Sequence, residues 1–264
     1  MVEGLIANAG LLIAAMMALW FVAARIGDVS FVDAVWGAGM ALMAAASWVQ
    51  LDESGVRANL IAAMAVLWGL RLALHLFVRW RKSGEDPRYA RMLAKARERG
   101  SYAGAALAYV FAPQAVLLFV GCLPAQLGVL GSPAPAPLGA LAWAGVTLWA
   151  VGMIFESLGD WQLTRFRAVP ANQGKVLDTG LWRYTRHPNY FGDCCVWWGI
   201  WLAAAEAGSG IALASVAGPL FVTFTLTRWS GKPLLEKGMV KRRPGYADYV
   251  ARTSGFVPWP PRQS

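Results

Sequence analysis

Seven stretches of this chain are long and apolar enough to cross a lipid bilayer, and that fact limits what the rest can do. They run over residues 4–24, 29–50, 58–79, 103–130, 138–161, 188–205 and 211–228. An α-helix needs about 20 residues to cross the hydrocarbon layer. Of the 264 residues, 57% are hydrophobic and 15% charged, a balance foreign to soluble domains of this size. The expected fold class is all-α: a polytopic membrane protein with seven transmembrane helices, forming one integral membrane domain over residues 1–264.

The charges lie on alternate sides of those spans. The loops 79–101 and 162–187 and the tail from Trp229 hold most of the Lys and Arg, whereas the loops 51–57, 131–137 and 206–210 share a single Arg. The positive-inside rule then places the basic loops and the C-terminus in the cytoplasm and the N-terminus outside. The net charge of +9 reads as topology and gives no reason to expect nucleic acid. The first span lacks a basic start and leads into further spans, so no cleavable signal is expected. Cys122, Cys194 and Cys195 lie in apolar segments and His75 and His187 are the only histidines, so neither a disulfide framework nor a metal site is expected. Pro113 and Pro124 are expected to kink the fourth span. Amphipathic surface helices are expected within 79–99 and around 234–252.

The densest polar stretch runs from Gly180 to Asp193, immediately before the apolar run 194–205. Pro188 suits the first turn of a helix, because it has no N–H to leave unpaired. Arg183, Arg186 and His187 then flank the free N–H groups of that turn, an arrangement suited to anions. A positively charged flank of a membrane helix is the plainer alternative. Asp193 lies about one turn inside, where a carboxylate is costly.

Other groups raise the same choice between structure and function. Glu156 and Asp160 are four apart and share a helix face. They either close the fifth span by pairing with Arg165 or Arg167, or accept hydrogen bonds from the hydroxyl or amino groups of a ribose or an adenine. Arg165, Arg167 and Lys175 follow as phosphate binding requires. Asp33 lies within the second span, where an unpaired carboxylate costs several kcal/mol. It either pairs with Arg71 or Arg25, or is protonated and donates to a substrate carbonyl. Arg71 and His75 share a face of the third span. Trp36, Trp68, Trp197 and Trp198 lie near polar residues and are candidates to line a flat, apolar pocket. The remaining Trp and Met read as packing.

The run from Gly180 to Asp193, followed by Trp197-Trp198-Gly199, resembles the C-terminal signature of the steroid 5α-reductase family, most closely its uncharacterised bacterial, DUF1295-like branch. The resemblance reaches back through Glu156 to Asp160 and Arg165 to Arg167, and forward through Arg228 to Glu236, Tyr246 to Tyr249 and Phe256 to Trp259. It is thinner in the N-terminal half, where it rests on Asp33 and on Trp68 to Leu72. Sterol reductases and isoprenylcysteine carboxyl methyltransferases share a related Arg-His-Pro run.

The resemblance implies a seven-helix enzyme of the bacterial inner membrane with its active site facing the cytoplasm. It implies NADPH as cofactor, hydride transfer to an activated C=C, and an enone, steroid-like or other lipophilic substrate entering from the bilayer. Residues 1–130 would form the substrate side and 138–264 the cofactor side. Asp33, Trp68, Arg71 and Asn189 are the implied catalytic set, with Trp68 near the position where the steroid enzymes have a Tyr. The implied cofactor contacts are Glu156, Asp160, Arg165, Arg167, Lys175, Trp182, Tyr184, Arg186, His187, Asn189, Tyr190 and Asp193, with Arg228, Lys232 and Glu236 closing over the cofactor. An S-adenosylmethionine-dependent methyltransferase is the alternative chemistry. A non-enzymatic lipid-binding or transport protein is the second alternative.

Overall fold

A computed structural model describes residues 1–132 and 137–262; most of the uncharged turn expected over 131–137 lies outside these described residues. Among them the chain is helical, and extended backbone pairs only at one parallel bridge, Thr185 with Ser254. Six helices are long and apolar enough to cross a membrane: Val2–Ile26, Val32–Val49, Val56–Ser83, Tyr102–Gly121, Ala140–Ala168 and Ser209–Arg242. The run expected as a sixth span, 188–205, forms the 18-residue helix Pro188–Ala205, whose first turns carry Asn189 and Asp193. That helix is not among the six.

The chain divides into two compact units. The first comprises Met1–Ala142 and Ile200–Gly218. Its helices include α1 (Val2–Ile26), α2 (Val32–Val49), α3 (Val56–Ser83) and the short α4 (Pro87–Glu98). The expected fourth span begins with α5 (Tyr102–Ala106), passes through a π-helical turn at Leu107–Phe111 and continues as α6 (Ala112–Gly121). Pro113 lies in the first turn of α6, where its missing N–H disturbs the ladder just before it. Pro124 lies in the first turn of α7 (Leu123–Leu130), so the expected kink is here a full break at Cys122.

α2 and α3 run antiparallel and touch backbone to backbone where Gly37 faces Gly69; a Cβ on either would collide with the other's carbonyl oxygen. Met40, Met43, Ile61, Met64, Trp68, Phe111 and Leu118 fill the core around this contact. A polar knot ties α1, α2 and α7 together: the Asn8 amide donates to Ser47 Oγ (2.7 Å) and Gln126 Oε1 (2.9 Å), and Gln50 Nε2 donates to Asn8 Oδ1 (2.9 Å). Its members satisfy one another, which membrane burial demands of polar groups. Glu206, just after the run 188–205, accepts from the backbone N–H groups of Gly139 (2.8 Å) and Ala142 (2.9 Å) and pairs with Arg57 (3.3 Å). It caps a helix start with the negative charge that position favours.

The second unit comprises Trp143–Gly199 and Pro219–Ser264. It contains most of α8 (Ala140–Ala168) and the start of α9 (Pro188–Ala205). α11 (Ala217–Phe224), which follows α10 (Ser209–Ser215) of the first unit, leads through a π-helical turn, Thr225–Trp229, into the tail helices α12 (Lys232–Glu236), α13 (Met239–Arg242) and α14 (Tyr246–Arg252). α8 and α9 pack through glycines seven residues apart, Gly145 and Gly152 on one helix and Gly192 and Gly199 on the other. A Cβ on Gly192 would lie 2.5 Å from the Glu156 nitrogen, and one on Gly199 would lie 2.6 Å from the Gly145 oxygen. Small residues let helices approach closely where no hydrophobic effect drives them together.

Candidate functional site

The close α8–α9 contact decides where the acidic side chains point. Glu156 is 2% exposed and Asp160 7%, although both belong to a helix expected to end in water. Gly159 faces the backbone nitrogen of Asn189, which brings the first turn of α9 against Asp160. Asn189 Nδ2 then donates to Asp160 Oδ1 at 3.0 Å. The other amide atom, Asn189 Oδ1, is buried and has no hydrogen-bond partner. A buried carbonyl oxygen without a donor costs about 1–3 kcal/mol, so it invites one. Asp193 lies one turn further along α9, half-buried.

Trp182 and Tyr249 lock the segment before α9. The Trp182 indole donates to the Gly159 carbonyl (3.1 Å), and the Tyr249 hydroxyl donates to the Trp182 carbonyl (2.5 Å). Burial first, and the nearby Tyr246 next, push the Tyr249 hydroxyl well above its ordinary pKa, so it stays protonated and keeps donating.

Arg186 and His187 do not project into water as expected of phosphate ligands. They are 8% and 5% exposed. Arg186 Nε donates to Glu236 Oε1 (2.8 Å), and its Nη1 donates to the carbonyls of Thr253 (2.7 Å) and Val250 (3.3 Å). His187 Nε2 lies 2.9 Å from the same Glu236 oxygen, and its ring stacks on Tyr190. The Arg186 backbone N–H, Thr185 Oγ1 and the Tyr184 carbonyl bond to Ser254, Phe256 and Trp259. The pair thus fastens the tail, and Glu236 is its anchor. The cations that do reach the surface are Arg165, stacked on Trp161, together with Arg167, Lys175, Arg183 and Arg228. Lys232 is half-buried, with its ammonium against Gly255, and the Tyr184 ring is exposed.

In the first unit, Asp33 is not the isolated carboxylate its position in an apolar run suggests. It sits in the first turn of α2 and accepts from Arg79 (3.2 Å), Arg88 (3.0 Å) and the Tyr89 hydroxyl (2.9 Å). These donors, and not Arg71 or Arg25, are its partners. Gln114 Nε2 donates to the Tyr89 oxygen (3.3 Å), and the Trp36 indole donates to Gln114 Oε1 (2.8 Å). Burial, and then the Asp33 charge, raise the Tyr89 pKa far above its ordinary value. Asp86 caps α4 through the Arg88 N–H (2.8 Å). Burial pushes its pKa up, but the hydrogen bonds and charge of Arg88 and the charge of Arg79 outweigh this and hold it below the ordinary range.

Trp68 is 2% exposed. The Gly37–Gly69 register places it about two helical turns deeper than Asp33. It is core here, and the structure does not bring it to Asp33. Tyr89 supplies a hydroxyl beside Asp33, from a loop helix outside the matched motif. Its sequence signal is faint, but Gln114, a lone amide inside an apolar run, is a visible one. All three cysteines are free and buried, and no group of three or more His, Cys, Asp or Glu side chains gathers among the described residues.

Comparison with known proteins places the chain without assigning it an activity. It is 22% identical over 230 residues to an uncharacterised protein of Schizosaccharomyces pombe. The alignment takes in 76% of this chain and 63% of that relative, so the chain spans less than two thirds of the relative's length. No solved structure matches. A family described as "Protein of unknown function (DUF1295)" matches residues 19–253, nearly the whole chain, and the protein belongs to that DUF1295 family.

Proposed function

We propose that this protein is a membrane-embedded NADPH-dependent reductase that transfers hydride to an activated C=C bond of a lipophilic substrate. In this scheme α9 is a seventh span, the N-terminus lies outside and the basic loops lie in the cytoplasm. The resemblance of the Gly180–Asp193 run to the steroid 5α-reductase signature supports it. The observation that carries it is the Asp160–Asn189 hydrogen bond together with the buried, open Asn189 oxygen.

The residues present fit a pyridine dinucleotide. Asn189 Oδ1 is an acceptor for an amide N–H, such as that of a nicotinamide carboxamide. Glu156 and Asp160 are acceptors for ribose hydroxyls. Arg165, Arg167 and Lys175 supply the cations that a diphosphate needs. When bound, NADPH supplies the hydride. The glycine-mediated α8–α9 contact excludes water beside Asn189, and Asp160 fixes the amide's orientation. The first unit is assigned the substrate. There, Asp33 holds the Arg88 guanidinium, a donor suited to a carbonyl oxygen that gains charge, while the Tyr89 hydroxyl gives its one proton to Asp33.

Asn189→Ala is expected to weaken NADPH binding by about tenfold, the worth of one buried hydrogen bond. Unchanged affinity in a fluorescence titration would remove Asn189 from the site. Asp33→Asn is expected to lower the rate of NADPH oxidation while leaving NADPH affinity nearly intact. Equal loss of both would make Asp33 structural.

A further inference from the structure

We infer that the tail between Gly231 and Arg243 is a docking surface for the anionic lipid headgroups of the bilayer in which the chain sits. The surface and its partner differ from those of the dinucleotide assignment, and either can hold without the other. The amphipathic helix expected around 234–252 is in fact three short pieces, α12, α13 and α14. The face they leave outward is set by pins along the chain and not by a helical period.

Gly231 lies three residues beyond the apolar run 211–228, so it is at most about 11 Å of chain away from it. The Ser230 and Gly231 backbone nitrogens both donate to the Thr225 carbonyl, each at 3.0 Å. A Cβ on Gly231 would lie 2.4 Å from the Leu226 oxygen, so the chain folds tightly against the end of the π-helical turn. Five residues on, Glu236 is drawn inward by Arg186 and His187. Gly238 then turns the chain with φ 75°, between α12 and α13. Arg243 Nη1 donates to the Lys175 carbonyl at 2.7 Å and closes the segment. With these points fixed, the side chains between them face outward. Leu234 is 51% exposed, Leu235 47% and Val240 59%. Lys237 and Lys241 are exposed beside them, and Trp229 is exposed at the end of the span, where interfacial aromatics sit.

The charge balance names the partner. Residues 229–247 carry Lys232, Lys237, Lys241, Arg242 and Arg243 against a single carboxylate, Glu236, which Arg186 already holds. Arg242 donates to the carbonyls of Gly238 (3.3 Å) and Lys237 (3.1 Å). Among the described residues, nothing pairs with the ammonium of Lys237 or Lys241. One exposed aliphatic residue is ordinary. Three of them beside two unpaired ammoniums, a few residues past a membrane-length helix, have the character of an interfacial surface. Three aliphatic side chains give little area for insertion, and drawing the lysines to a neutral surface would cost hydration without return. Anionic headgroups supply the counter-charge. A nucleic acid would match the charge but leave the leucines and Val240 in water.

The test uses the full chain carrying Val240→Cys, labelled with the environment-sensitive fluorophore nitrobenzoxadiazole. Cys122, Cys194 and Cys195 are buried, so the label goes to position 240. The protein is placed in nanodiscs of phosphatidylcholine alone or mixed with phosphatidylglycerol. The expected result is a blue shift with phosphatidylglycerol and none with phosphatidylcholine alone. The shift should reverse at about 1 M salt, where the Debye length falls to about 3 Å. Adding Lys237→Gln and Lys241→Gln should raise the phosphatidylglycerol fraction needed for half the shift about twofold. On the unlabelled wild-type chain, acetylation of Lys237 and Lys241, read by mass spectrometry, should slow with phosphatidylglycerol. An equal shift in both lipids overturns the inference in favour of plain apolar insertion, and no shift in either removes the surface. A shift untouched by the two lysine substitutions overturns the assignment to these side chains. Reversal of the shift by inorganic phosphate, at an ionic strength where chloride has no effect, overturns it in favour of a soluble anion. None of these outcomes bears on NADPH binding.

Discussion

Gly192→Leu is expected to prevent α8 and α9 from packing, at a large cost in stability. The added side chain would begin 2.5 Å from the Glu156 nitrogen and 2.6 Å from the Gly152 oxygen. Both are backbone atoms, so no rotamer change can make room. Overpacking costs about 1–3 kcal/mol where side chains can yield, and here the helices themselves must separate. Their separation also removes the contact that sets Asn189 against Asp160. Loss of a monodisperse peak, or a sharp fall in melting temperature in detergent, is the expected outcome. Gly210→Leu is the control, because a Cβ there meets nothing within 4 Å. Equal tolerance of both substitutions would mean that the close helix contact is not present in the protein.

Arg186→Met is expected to release the tail. The substitution preserves much of the stem's volume. Among the described residues it leaves Glu236 with His187 as its only close partner, and it strips a donor from the Thr253 and Val250 carbonyls. Removing one member of a buried ion pair costs about 3–5 kcal/mol. The lower end applies, because the Glu236 side chain keeps 20% of its exposure. Limited trypsin digestion should then cut rapidly between Lys237 and Arg243, and Glu236→Gln should show a milder form of the same defect. An unchanged digestion pattern in Arg186→Met would mean that Arg186 does not hold the tail, and would restore it as a candidate for contacting phosphate.

The contrast between Arg165 and Arg186 shows what can be read from the chain alone. Both are cations in a basic loop, and nothing local separates them. Arg186 is buried because Glu236 lies 50 residues away and the Thr253 carbonyl 67 residues away, and both fold back onto it. Asp33 repeats the lesson, since its donors come from positions 46, 55 and 56 residues on. Most long helices were legible, because an apolar run of that length has few other fates. Glu156 and Asp160 were legible as a pair, because four-residue spacing puts them on one face. Their depth was not, because it depends on Gly152, Gly159 and Gly192 drawing α9 against α8. The glycines' seven-residue spacing is visible in the sequence once helices are assigned, and it was the overlooked signal. The depth of Trp68 is likewise not legible from its motif, because the register set by Gly37 and Gly69 sends it into the core.

The most direct test of the reductase assignment is a fluorescence titration of NADPH into the purified full-length chain, run beside a calorimetric titration of S-adenosylhomocysteine. Saturable enhancement of NADPH fluorescence, shifted to about tenfold higher NADPH concentration in Asn189→Ala and unaffected by S-adenosylhomocysteine, is the expected result. Tight binding of S-adenosylhomocysteine with no response to NADPH would contradict it and make this a methyltransferase, and binding of neither would leave the chain without a cofactor-dependent activity of either kind.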